Sequence, residues 1–417
     1  MKAIVYNVNP FGWLACKALS RWWPSCLLGG LNGIALEEMA PPELPTPHWV
    51  RLRTLMGGIC GTDLAIIAQK QLPNSILQAY TSSPMLLGHE NLAVVEEVGP
   101  AVDRSWLGRR VCVEPTLCCE AREISPPCPR CQAGQFGVCE NFSANGAGAA
   151  GLPPGTSIGY NSRTGGSLGE SFVAHVSRLA AVPEAIPDEA AVLTDPVACS
   201  LHAALRADLS RGGQVLVYGC GVMGLALVAC LRALGYAGRI DAMDRSDYLQ
   251  PLALQLGASN FLQLPAEKAG RFAAIALATG GSVQRARVGN LALSGGYDLS
   301  FDCVGNGRSV EECLKWTRGG GQMIMVGTGN GWGADLTAVW FKELEIVGCY
   351  GRGTERFDGR EIGTYQLVHE LMAAGKLNVS PMLTHTFPLS DYRSALKVAL
   401  AKSAHRAIKV ALDFRAR

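Results

Sequence analysis

The stretch VLVYGCGVMG, residues 215–224, restricts the possible folds of this chain more than any other. An apolar run with strand character enters glycines at 219, 221 and 224, and a helical pattern leaves them. In such a junction the first glycine makes a tight turn and the second lets a phosphate approach the backbone. The third allows the helix to pack closely on the strand. A diphosphate then rests on the positive end of the helix, which Val222 and Met223 open. Asp244, twenty positions past Gly224, ends the next apolar run. A carboxylate there accepts hydrogen bonds from ribose hydroxyls and disfavours a 2′-phosphate, which points to NAD over NADP. Arg245 next to it is the counter-argument, because it can pair with that phosphate. The bland alternative is a glycine turn with no ligand.

The surroundings agree with a nucleotide-binding α/β half. YDLSFDCVGNG (297–307), GGQMIMVGTG (320–329) and LEIVGCY (344–350) are apolar strands with glycine near their ends. A parallel sheet covered on both faces requires that pattern. The first third differs, with short strands at KAIVY, WVRLRTL (49–55), NLAVVEEVG (91–99) and RRVCVEP (109–115). Residues 146–170 are rich in Gly and Pro and are expected to form a long surface loop, followed by the strand SFVAHV. The closing segment ALKVALAKSAHRAIKVALDF reads as a helix and a strand.

Cysteine usage bears on chemistry. Fifteen cysteines spread over 417 residues, with a start MKAIVYNVNP that lacks an apolar signal core, favour reduced, metal-binding thiols in a cytoplasmic protein. A formal net charge of +2 and the absence of a basic block argue against nucleic acid. No run is long enough to span a bilayer. The segment 11–28 comes nearest and is broken by Lys17, Arg21 and Pro24, so it reads as a packed helix or lid.

GGICGTDLAI (57–66) places Cys60 beside glycines and Asp63, as either a strand-end turn or part of a metal site. His89-Glu90 in GHE and Asp195 in TDPVACSLH are unremarkable singly. Downstream, Cys128, Cys131 and Cys139 have C-x2-C-x7-C spacing. In order along the chain, GGICGTD, LLGHE, PPCPRCQAGQFGVC, DP, YGCGVMG and FDCVG resemble the zinc-dependent medium-chain dehydrogenase/reductase family. The resemblance implies a GroES-like, mostly-β catalytic domain (1–190 and 350–417) and a Rossmann doubly wound parallel sheet (191–349). It also implies a structural-zinc lobe at about 117–142.

From the same resemblance, Cys60, His89 and Asp195 would hold a catalytic zinc with one open position, as Lewis-acid catalysis needs. Glu90 would stand close to the metal, Asp63 would orient the zinc-bound histidine, and Thr62 would take the alcohol proton. Cys199, Cys303 and Val304 would contact the cofactor. The lobe zinc would use Cys128, Cys131, Cys139 and a fourth thiolate. Ser125 stands where that ligand usually is, leaving Cys119, eight intervening residues upstream of Cys128, or its neighbour Cys118. An emptied lobe is the rival reading.

The expected activity is hydride transfer between an alcohol, secondary in type, and NAD, in a homodimer or homotetramer. Many relatives pass the proton to a histidine five residues past the zinc cysteine. Ala65 stands there, which counts against threonine-type activity. The aromatic insertion at about 10–38, with Phe11, Trp13, Trp22 and Trp23, and the apolar segment between the first two zinc motifs favour a bulky apolar alcohol over a sugar. Alternatives are a polyol, sugar or amino-alcohol dehydrogenase, or a catalytically silent binding protein. A zinc-free quinone reductase is opposed by the Cys60/His89 pair.

Overall fold

A computed structural model describes residues 1–7, 9–70, 75–211, 213–329 and 333–415. The chain divides into two compact units, Met1–Asp195 with Arg352–Ala373 and Leu383–Arg417, and Pro196–Gly351 with Ala374–Met382. The division thus falls inside the helix Thr194–Leu205, one residue after Asp195.

In the first unit, strands run in the order Leu383–Pro388, Lys409–Asp413, Trp49–Gly58, Glu90–Val98, Arg110–Val113, Leu179–Ala181. Ser171–His175 pairs with the other edge of Trp49–Gly58. Alternation along these strands buries Trp49, Leu52, Val95, Val111 and Phe172 in one core cluster. Each such side chain contributes roughly 1.5–3 kcal/mol when fully removed from water. A second cluster joins Ile59, Leu64 and Ile67 to Leu396, Val410 and Leu412, and so fixes the short helix Gly61–Ile67.

The stretch 146–170 departs from the surface loop expected of it. Residues 157–161 and 164–169 are buried. Its composition is poor in apolar side chains, but a buried loop needs hydrogen-bonded backbone more than it needs hydrophobicity. Arg122, wholly buried, supplies much of that by donating to the carbonyls of Leu117, Gly146, Leu152, Pro153 and Gly155.

The insertion forms a helix, Pro10–Leu19, capped by Asn9, whose Oδ1 accepts from the N–H groups of Phe11 (3.0 Å) and Gly12 (3.2 Å). Buried Asn32 donates to the carbonyls of Leu27 and Ile67, and Gln69 donates to Asn32 and to the Trp13 carbonyl. These bonds staple the insertion to the end of the helix Gly61–Ile67. Phe11 and Trp22 are 84% and 78% exposed, so they do not pack as pocket walls within this unit. Of the apolar segment between the zinc motifs, residues 71–74 lie outside the described ones.

The second unit is a six-stranded parallel sheet. Its order is Asn260–Gln263, Arg239–Asp244, Gln214–Tyr218, Tyr297–Asp302, Thr317–Met325, Glu345–Gly348. Numbered along the chain this is 3-2-1-4-5-6, the doubly wound arrangement whose switch point lies between the first and fourth strands. Tyr297–Asp302 is buried at all six positions, as a strand covered on both faces must be.

Candidate active site and nucleotide cradle

The helix Gly61–Ile67 begins immediately after Cys60, and its first turn carries the chemistry. Asp63 accepts the Cys60 N–H through Oδ2 at 3.0 Å, closing the turn. Burial pushes the Cys60 thiol up, opposed by the Lys409 ammonium, while burial pushes His89 down. A cation would reverse the thiol's preference, because a metal-bound thiol is deprotonated outright.

Ligand atoms of Cys60, His89 and Glu90 lie within 4.8 Å of one another. Glu90 also pairs with the buried ammonium of Lys409, which donates to the Ile59 carbonyl at 3.0 Å and whose pKa burial lowers to about 8. A soft thiolate, an imidazole and a carboxylate around one point fit zinc.

Asp195, expected as the third donor, is placed differently. Its Oδ1 accepts from the Tyr365 hydroxyl at 2.5 Å and pairs with Arg352 Nη2 at 2.7 Å. Arg352 also reaches Glu114, at 3.1 Å. With that oxygen held by two donors, Asp195 lies outside the converging set, in which Glu90 joins Cys60 and His89. The Asp63–His89 contact is 3.9 Å, beyond hydrogen-bond range, and His89 Nδ1 is buried without a partner.

Tyr160, inside the buried loop, was not read from the sequence. Its hydroxyl lies 2.7 Å from Thr62 Oγ1 and 3.1 Å from Asp63 Oδ1, and its ring stacks at a tilt 5.3 Å from His89. Burial beside Asp63 and Cys60 raises its pKa well above the phenol range, so it stays protonated. No local signal marks it, since a tyrosine in a Gly/Pro-rich stretch carries no spacing pattern.

A cavity of about 590 Å³ in the same unit is lined by Glu114, Arg178, Arg352, Tyr365 and His369 among others. None of Cys60, His89 and Glu90 lines it.

In the lobe, sulfurs of Cys119, Cys128, Cys131 and Cys139 lie within 4.8 Å of one another. Cys119–Cys139 and Cys128–Cys139 separations are 3.6 and 3.9 Å. Zn–S bonds of about 2.3 Å in a tetrahedron put sulfurs about 3.8 Å apart, so the set fits zinc. Amide donors already face the sulfurs, with Cys128 N–H and Asn141 Nδ2 on Cys119 at 3.3 and 3.1 Å. Cys118 hydrogen-bonds Cys131 from outside the four and has Arg178 nearby.

The second unit brings the glycine positions together as the sequence demands. Gly219 has φ +96°, and a Cβ there would meet Val304 at 2.6 Å. Gly221 precedes the helix Val222–Ala233 and faces open space, while a Cβ on Gly224 would lie 1.9 Å from the Gly219 carbonyl oxygen. Asp244 accepts from the N–H groups of Cys220 (2.8 Å) and Ser246 (2.9 Å), beside exposed Arg245. Cys303 N–H donates to the Tyr218 carbonyl at 2.9 Å, which holds Cys303 and Val304 at the strand ends. Cys199 is partly exposed on a helix tied to the cradle by Ser200, which donates to the Met223 carbonyl at 3.0 Å.

A thiolate–imidazole–carboxylate cluster in one unit and a dinucleotide cradle in the other define a zinc-type dehydrogenase. Residues 46–184 match the alcohol dehydrogenase GroES-like domain, and residues 222–363 match the zinc-binding dehydrogenase domain. The chain is 30% identical to L-idonate 5-dehydrogenase of Vitis vinifera over 365 residues, covering 87% of each. It is 29% identical to sorbitol dehydrogenase 1 of Saccharomyces cerevisiae, over 91% of this chain and 94% of that one. A short chain alcohol dehydrogenase of E. coli, solved with NADH, superposes with a TM-score of 0.73 at 20% identity, over 99% of each chain. The chain belongs to the zinc-dependent medium-chain dehydrogenase/reductase family, and is an oxidoreductase acting on CH–OH groups. Among the described residues, no helix is long and apolar enough to cross a membrane.

Proposed function

We propose that this protein transfers hydride between a secondary alcohol and NAD, with a polyol as the favoured substrate class. The observation that carries the reading is the convergence of Cys60, His89 and Glu90 within 4.8 Å. The likeness to idonate and sorbitol dehydrogenases supports a polyol. The outward-facing Phe11 and Trp22 remove the support that the insertion lent to a bulky apolar alcohol.

Zinc held by Cys60, His89 and Glu90 supplies Lewis acidity, which lowers the pKa of an alcohol and polarises a carbonyl. NAD supplies the hydride acceptor. The protein's own groups do the rest. Thr62 Oγ1 is placed to accept a hydrogen bond from the alcohol hydroxyl, and the Tyr160 hydroxyl, which donates to the same oxygen at 2.7 Å, fixes its orientation in the absence of a histidine at position 65. Asp195 is fixed by Arg352 and Tyr365 beside this cluster. Lys409 pairs with the buried Glu90 carboxylate. In the other unit, Gly221 leaves the amides at the helix start open to the pyrophosphate, and Asp244 receives the ribose.

Fifteen cysteines, four of them gathered in one candidate zinc cluster, support a reducing, cytoplasmic setting. Family resemblance supports a homodimer or homotetramer. The test is NAD and NADP reduction against polyols, threonine and apolar secondary alcohols, with Cys60→Ala alongside. The substitution is expected to remove one zinc per chain and all turnover. Turnover that survives it overturns the proposal.

A further inference from the structure

A third convergence of metal-binding side chains shares no residue with either zinc cluster. His48, Glu123 and His175 bring one ligand atom each within 4.8 Å of one another. They come from three segments. His48 immediately precedes the strand Trp49–Gly58, and His175 ends Ser171–His175, which pairs with it antiparallel. The Val176 N–H donates to the His48 carbonyl at 3.1 Å, which sets His48 one position along the ladder from His175, itself opposite Trp49, and the two imidazole centroids lie 6.2 Å apart. Glu123 arrives from the lobe segment, held by its N–H on the Glu120 carbonyl at 3.0 Å.

The spacing is that of a tetrahedral site. Glu123 Oε1 is 3.3 Å from His48 Nδ1 and 3.8 Å from His175 Nε2. Bonds of about 2.0–2.1 Å to nitrogen and oxygen in a tetrahedron separate ligand atoms by about 3.3 Å. Thr46 Oγ1 donates to the same carboxylate oxygen and aims it. A metal at His175 Nε2 needs the ring proton on Nδ1, and Ser177 Oγ, 2.8 Å from Nδ1, is placed to accept it. In the other tautomer Nδ1 accepts the Ser177 N–H at 3.3 Å, so loading gives up that bond, releases the Nε2 proton to solvent and takes one from solvent at Nδ1.

We propose that His48, Glu123 and His175 form an additional, solvent-accessible site for a borderline divalent cation such as Zn²⁺, with water completing the coordination. Two imidazoles and one carboxylate suit zinc, cobalt or nickel, and not calcium or magnesium, which take oxygen ligands. The His48 side chain is 51% exposed, so the ion can enter from solvent and exchange. Arg178, the nearby cation, is committed to Glu114 and Glu120, so no arginine competes for Glu123, whose Oε1 contacts Thr46 and His48 in the metal-free site and would exchange the His48 contact for the ion. Binding would tie the lobe segment four residues past Cys119 to the strand pair of the catalytic unit. This site is independent of hydride transfer, and its test does not depend on activity.

The protein, carrying its cysteine-bound zinc, is equilibrated with micromolar free Zn²⁺, and zinc per chain is measured for wild type, His48→Gln and Glu123→Gln. Histidine acylation by diethyl pyrocarbonate is followed by mass spectrometry with and without Zn²⁺. Wild type should take up one more zinc than either variant, and zinc should slow His48 acylation at least about fivefold in wild type but not in Glu123→Gln. Unaltered turnover of His48→Gln serves as the folding control. Equal zinc uptake by wild type and both variants, or His48 acylation in wild type that is indifferent to zinc, overturns the proposal.

Discussion

Alanine at Gly221 and alanine at Gly224 should separate cofactor recognition from folding, although the two positions are three residues apart. Gly221 has φ −66° and ψ −168°, a conformation that alanine adopts without strain, and its added Cβ meets nothing within 4 Å. Stability should therefore change by no more than about 0.5 kcal/mol. The new methyl group would, however, stand on the open face over which a pyrophosphate must approach the amides. At Gly224 the Cβ would fall 1.9 Å from the Gly219 carbonyl oxygen and 3.0 Å from its carbon, both backbone atoms. Ordinary contact begins near 3.4 Å, so the helix Val222–Ala233 must move about 1.5 Å off the strand end. Overpacking of that size costs about 1–3 kcal/mol, which at about 2–4 °C per kcal/mol lowers the melting temperature by roughly 2–12 °C. The assays are thermal melting followed by circular dichroism and NADH titration followed by fluorescence. Gly221→Ala should melt with wild type and bind NADH at least tenfold more weakly, a loss of about 1.4 kcal/mol. Gly224→Ala should lose stability and binding together. Full NADH affinity in Gly221→Ala would refute the placement of the pyrophosphate, and an unshifted melt for Gly224→Ala would refute the packing argument.

Asp195→Asn should retain the full zinc complement while turnover falls, because Glu90 and not Asp195 joins Cys60 and His89; loss of one zinc from this variant would reinstate Asp195 as a ligand. Cys119→Ser should lose the lobe zinc and Cys118→Ser should keep it, as read by metal content, and the reverse pattern would exchange their roles. Tyr160→Phe, which frees Thr62 from its 2.7 Å contact, should lower kcat about tenfold with zinc content unchanged; wild-type kcat would show that the hydroxyl orients nothing. His369, buried between Thr194 and the Ala181 carbonyl, is held at about 4 against an ordinary value of 6.5. The unfolded chain therefore binds the extra proton first as pH falls from about 6.5 to 4, and up to about 3 kcal/mol of stability is lost across that window. His369→Gln should flatten this acid limb in urea midpoints, and an unchanged slope would exclude His369 as its source.

The parts of this molecule that can be read from sequence are those written in consecutive residues. The cradle is legible because each of its glycines answers a local steric demand. Gly219 needs a positive φ, Gly221 an open face and Gly224 a close contact, and all three demands arise within one turn. The three-cysteine spacing of the lobe is legible for the same reason. Cys118 and Cys119, by contrast, are adjacent, and only the fold decides which sulfur faces Cys139 at 3.6 Å.

The placement of Asp195 is harder still to read, because it depends on groups far away in the chain. Asp195 carries the motif, but Arg352 and Tyr365, more than 150 residues later, take its oxygen. Nothing near residue 195 announces them. The stretch 146–170 hides its burial in another way. Hydropathy counts side chains, whereas this loop is stabilised inside the unit by carbonyls that Arg122 satisfies. A buried arginine with five main-chain acceptors reads in sequence as one more surface charge. Tyr160 reaches Thr62 only because that loop is inside, so this contact stays invisible until the backbone hydrogen bonds are accounted for. Replacing Arg122 with methionine would strand those carbonyls at roughly 1–3 kcal/mol each if no water reaches them. It should therefore weaken catalysis through Tyr160 as well as stability, and a variant that melts lower yet keeps its kcat would break the link between loop burial and the orientation of Thr62.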